Sequence, residues 1–118
     1  MMNIEELREY CLSLPHVTED FPFDEDTLVF RIGGKIFLLV SISSQPLQFN
    51  VKCDPELAVS LRERYDFVAP GFHMNKKHWN TIHEVENVDG QLLREWIKHS
   101  YSLVLGSLPK SQQRLLIP

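Results

Sequence analysis

Thiol chemistry is nearly missing from this chain: 118 residues contain two cysteines, Cys11 and Cys53, and no CxxC spacing. That excludes a disulfide-built scaffold and a cysteine-rich zinc module, and it predicts two reduced, buried thiols of a cytoplasmic protein. Long apolar runs are missing as well. The longest, "IFLLV" from Ile36 to Val40, falls far short of the roughly 20 residues that cross a bilayer. The start, "MMNIEELREY", has no basic segment leading into an apolar stretch, so neither a membrane span nor a secretory signal is expected. A basic excess is also lacking. The net charge is −4, whereas a general nucleic-acid binder usually carries a positive surplus.

What charge there is lies unevenly. Residues 1–26 hold Glu5, Glu6, Glu9, Glu19, Asp20, Asp24, Glu25 and Asp26 against Arg8 alone, a net −7. The remainder carries +3. An acidic end is joined to a mildly basic body, and the folded surface decides whether the cations meet.

No repeat, low-complexity tract or linker divides the chain, which predicts one domain over residues 1–118. Ile4, Leu7, Cys11 and Leu14 recur at helical spacing, with Asn3 placed to cap and Pro15 to stop the helix. "HVTEDFPFDED" reads as an irregular acidic connection. From Thr27 the apolar period changes to two. "TLVFRI" and "KIFLLVSI" flank Gly33-Gly34, a pair that accepts positive φ at both positions and predicts a tight hairpin. In "LQFNVK", Leu47, Phe49 and Val51 alternate with Gln48, Asn50 and Lys52, which predicts a strand with one dry and one wet face. Asp54 and Pro55 open a second helix that carries Leu57, Leu61 and Tyr65 inward and leaves Glu56, Arg62 and Glu63 for solvent. "DFVAPG" is a short extended piece with a turn, and "HWNTIHEVENV" reads as a further strand. Asp89 caps a long helix from Gln91 to about Leu105, and "KSQQRLL" forms a short last one. Helices packed on one face of an antiparallel sheet, an α+β fold, are the expectation.

Chemistry-bearing residues gather in "PGFHMNKKHWNTI", residues 70–82. His73, His78 and His83 recur every five residues, a spacing that shares no face on a helix and alternates faces on a strand, so a metal site is not expected. The acidic residues 19–26 lack the ordered ligand spacing and turn glycine of a calcium loop. There is no HExxH, no GxSxG and no phosphate-cradling glycine loop, and Cys53 before a helix start reads as a small buried residue; no enzyme and no cofactor are expected. The segment suits binding better. Lys76 and Lys77 can neutralise phosphates, His73 and His78 add proton-dependent contacts, and Trp79 can stack or wedge. Asn75 and Asn80 carry the donors and acceptors that base-edge readout needs. The plainer reading keeps Trp79 in the core and ties Asn75 into the turn.

Three stretches, "VTEDFPFDEDTLVFRIGGKIFLLVSI", "KCDPELAVSLRERYDFVAPGFHMNKKHWNTI" and "LLREWIKHSYSLVLGSLPKSQQRLL", together resemble the MmcQ/YjbR family over nearly the whole chain. The pattern P-G-x-H-x-N-K-x-H-W-N-T, from Pro70 to Thr81, is the most specific part. The resemblance implies a CyaY-like α+β fold, a small bacterial cytoplasmic protein, and DNA contact through a "double wing" of sheet and loops. It carries motif roles to His73, Asn75, Lys76, His78, Trp79 and Thr81, with Lys77 at a freer place inside the motif. The stretch "HEVENVDGQLL" departs from the shorter connection of many relatives. Two alternatives stand beside DNA contact: a protein- or small-ligand-binding module braced by residues 70–81, and, by analogy with frataxin-like folds, an acidic metal-handling protein.

Overall fold

The computed structural model describes residues 2–71 and 74–116. Asn3 caps the first helix, α1 (Ile4–Ser13), by accepting the Glu6 N–H at 2.8 Å. Six strands follow: β1 (Thr18–Asp20), β2 (Thr27–Ile32), β3 (Lys35–Ser41), β4 (Phe49–Lys52), β5 (Val68–Pro70) and β6 (Trp79–Ile82). They form one sheet in the order β1-β2-β3-β4-β6-β5, with every neighbouring pair antiparallel. Helix α2 (Pro55–Arg64) lies between β4 and β5, and α3 (Gly90–Ser107) and α4 (Lys110–Leu116) complete the chain. The α+β expectation holds.

Register and alternation sort the two faces. Leu28, Val40, Phe49, Ile82 and Val68 are aligned across the strands on one face, beside Phe30, Leu38 and Val51. All eight are buried, and they share a core with Leu7 and Cys11 of α1, Ala58 and Leu61 of α2, and Leu93, Trp96, Ile97 and Val104 of α3. Burying a side chain such as Phe30 or Phe49 contributes roughly 1.5–3 kcal/mol each. Helix α3 is also pinned by polar contacts: Ser100 Oγ donates to the Phe37 carbonyl at 2.6 Å, and Tyr101 Oη to that of Pro15 at 2.7 Å. The Tyr101 ring meets Phe37 edge-on, with centroids 5.7 Å apart.

Gly33 and Gly34 turn the β2–β3 hairpin at φ 59° and 82°, as their pairing predicts. Leu47, Phe49 and Val51 are inward and buried, while Gln48, Asn50 and Lys52 are half-buried on the other side. Three expectations need correction. The acidic connection contains an edge strand, β1, because Glu19 and Asp20 find Arg8 and Arg31 at the sheet margin. The strand expected through "HWNTIHEVENV" ends at Ile82: Glu84 is left-handed (φ 50°), and Val85–Asn87 form a 3₁₀ turn. Arg62 does not point idly to solvent, as described below. Among the described residues, no helix is long and apolar enough to cross a membrane.

Candidate nucleic-acid interface

Core residues occupy one sheet face; the opposite, outer face carries Val29, Leu39, Asn50, Lys52, Trp79, Thr81 and Ala69 by strand alternation, Val29 and Thr81 being covered and the others half-buried. Two connections lap over it. Phe23, before β2, and Met74, between β5 and β6, come beside Leu39, Ser41, Thr27 and Asn50 and enclose a groove of about 340 Å³. Beneath it the buried Thr81 hydroxyl donates to Asn50 Oδ1, which fixes that side-chain amide and leaves its NH₂ as the remaining donor.

The connection carrying Lys76 and Lys77 is held by its own backbone and by one arginine. Asn75 Oδ1 accepts the Lys77 N–H at 2.9 Å, and the Asn75 carbonyl accepts from Trp79 N at 3.0 Å. From α2, Arg62 Nε donates to Asn80 Oδ1 at 2.7 Å, and Nη2 donates to the carbonyls of Lys76 and Trp79. Asn80 Nδ2 in turn donates to the Ala58 carbonyl at 3.3 Å. A planar fork that satisfies three acceptors at once suits arginine and not lysine. Gly71 lets the strands close: a Cβ there would sit 2.7 Å from Trp79 Cβ and 3.0 Å from its carbonyl oxygen.

This geometry divides the sequence-predicted site. Asn80 is 1% exposed with both ends of its amide engaged inside the protein, so base-edge readout by Asn80 is corrected to a brace between β6 and α2. Asn75 is exposed, but its side-chain oxygen is spent on the turn. Lys76 and Lys77 are exposed, and the ion pairs found among the described residues, Arg8–Glu19 and Arg31–Asp20, involve neither. Trp79 is half-buried on the outer face, register-paired with Lys52. It does not belong to the helix-side core. His78 is half-buried, and its carbonyl accepts the Cys53 N–H at 2.7 Å. His73 lies outside the described residues.

Sequence reasoning assigned Arg62 to solvent and missed its clamp. Its signal is visible only in hindsight of the register, since nothing in "LRER" distinguishes a clamping arginine from a solvated one. Phe23 was submerged in an acidic run. His83, considered above as a metal ligand, has Nδ1 3.0 Å from Gln48 Oε1, and the described residues contain no group of three or more His, Cys, Asp or Glu able to hold a metal. Burial, with Asp54 adding to it, pushes the Cys53 thiol up to about 11, which opposes the nucleophile a helix start would favour.

Against known proteins, a family model described as YjbR matches residues 12–103. The uncharacterized protein YbdF of Escherichia coli O157:H7 is 38% identical over 97% of this chain and 93% of its own length. The uncharacterized protein YjbR of Escherichia coli K12 is 27% identical over 98% of each. Among solved structures, a Deinococcus radiodurans protein with a DUF419 domain superposes with a TM-score of 0.91 at 38% identity, covering 98% of this chain and 88% of that one. A Pseudomonas syringae protein gives 0.73 at 26% identity, over 87% and 99%.

Proposed function

This chain belongs to the YjbR family, and we propose that it is a non-enzymatic, cytoplasmic protein that binds DNA through the outer sheet face. Lys76, Lys77 and Lys52 take phosphates, and Trp79 supplies an aromatic surface. Asn75, Asn80 and Arg62 hold the ledge in place. One observation carries the reading: both ledge lysines are exposed and outside the ion pairs of the described residues, and two residues after them in the chain stands a half-buried tryptophan whose strand position is opposite Lys52. Exposed ammonium groups outside the ion pairs of the described residues, near an aromatic side chain, suit a polyanion with π-faces.

The test is a fluorescence-anisotropy titration of labelled DNA at several ionic strengths, with the wild type and Lys76→Ala/Lys77→Ala. Removing two phosphate contacts flattens the slope of log K against log salt by about 1.8 on duplex DNA. An unchanged slope removes the lysines from the interface, and absence of wild-type binding to both duplex and single-stranded DNA at about 50 mM salt removes the function.

A second reading draws on the burial of Asn80. If residues 70–81 serve only as a brace, the outer face docks a protein or small ligand in place of DNA. The same titration separates the two.

A further inference from the structure

Resting on the DNA reading, we infer that the DNA taken is single-stranded and that the groove between Phe23 and Met74 seats an unpaired base, thymine by preference. Three features converge on this. First, cations are scarce. A chain of net charge −4 that offers Lys52 on the outer face and Lys76 and Lys77 in the adjoining connection releases few counterions from a duplex. Stacking on a single strand adds binding free energy that does not scale with charge. Second, the groove is recessed. Its floor is Leu39 and Asn50, with Phe23 and Met74 of two connections beside them; helices α1, α2 and α3 pack into the core on the opposite face, and paired bases do not reach a recessed floor. Third, its chemistry matches one base. Phe23, 66% exposed, offers a stacking face, Leu39 and Met74 offer apolar contact to a C5 methyl group, and the Asn50 amide, oriented by Thr81, donates to a carbonyl oxygen. A base with carbonyl acceptors and a methyl group is thymine, which distinguishes DNA from RNA.

Direction along the sheet follows from charge. Asp24 and Asp26 stand at the Thr27–Ser41 end of the groove, where Thr27 and Ser41 bond to them. Lys52 lies two residues beyond Asn50 on the same strand, ~7 Å away. Phosphates therefore pass over the Lys52, Lys76 and Lys77 end while the base enters toward the carboxylates.

The experiment compares anisotropy of a labelled thymidine dodecamer, its duplex with deoxyadenosine, and a uridine dodecamer of RNA. The thymidine strand is expected to bind at least about tenfold tighter than the other two, with a salt slope of about −2 from three lysines. Phe23→Ala, an exposed position whose loss leaves the core intact, is expected to cost about five- to a hundredfold in affinity at an unchanged slope. Val59→Ala, exposed on α2, is the control and leaves affinity unaltered. Duplex binding as tightly as the single strand overturns this inference and leaves the DNA reading standing. Uridine binding as tightly overturns the thymine preference, and an unaffected Phe23→Ala overturns the groove as the seat. If none of the three nucleic acids binds, the DNA reading falls and takes the inference with it.

Discussion

Arg62 shows how one side chain converts a helix surface into part of a site. Its guanidinium meets Asn80 Oδ1 and two carbonyls, and removing it leaves a buried amide oxygen without that donor. Arg62→Ala is expected to lower stability by about 1.5–3 kcal/mol, read from the urea midpoint. Arg62→Lys recovers only part, because one ammonium cannot reproduce the fork. The cysteines behave oppositely to reactive thiols. Burial raises the Cys53 thiol to about 11 and the Cys11 thiol further still, so both are protonated at pH 8. A thiol reagent is expected to label the native protein slowly and two groups rapidly in denaturant. Fast native labelling of one group contradicts the burial of that cysteine.

Among elements, the β2–β3 hairpin and the acidic connection before it each make a measurable claim. Gly33 and Gly34 both have positive φ, but only Gly33 faces a neighbour: an added Cβ would sit 2.5 Å from Leu108 Cδ1, whereas at Gly34 nothing lies within 4 Å. Gly34→Ala is expected to cost about 1–2 kcal/mol for left-handed backbone alone, and Gly33→Ala more. Equal thermal midpoints for the two variants contradict this packing. In the connection, the hydroxyl of Ser41 and the groups of Ser43 hold the Asp26 carboxyl below its usual value; the N–H groups of Thr27 and Asp26 do the same for Asp24. Folded values lower than the unfolded ~3.9 mean a stabilising contribution that is complete above about pH 4. It is lost as pH falls through the folded values. Asp26→Asn is expected to weaken the pH dependence of the unfolding midpoint in that acid range while leaving its behaviour near neutrality without a slope.

At the scale of the whole molecule, charge matters by location more than by sum. Acidic residues 1–26 and basic residues of the remainder share a body 39 × 31 × 26 Å in extent, several screening lengths across at physiological salt. Lys98 is exposed on α3, the helix that packs on the core face, while Lys52 lies by alternation on the outer face. Lys52→Glu and Lys98→Glu change net charge identically. The first is expected to weaken DNA binding by about tenfold, since it loses a phosphate contact and adds repulsion, and the second by less than about twofold. Equal losses for the two would mean that net charge, and not the outer face, governs binding.

Periodicity and capping made most of the fold legible in sequence. The alternation Leu47–Phe49–Val51, the Gly33-Gly34 turn and the caps Asn3, Asp54 and Asp89 each reflect local sterics or local hydrogen bonding, which neighbouring residues alone determine. The clustering of Lys76, Lys77 and Trp79 was equally a matter of adjacency. What residues far apart in the chain do to one another was settled only by tertiary contact. Asn80 became a brace because Arg62 and Ala58 reach it from α2; the groove exists because Phe23 and Met74 arrive from opposite connections. Burial and partner geometry are properties of packing, and no local pattern encodes them.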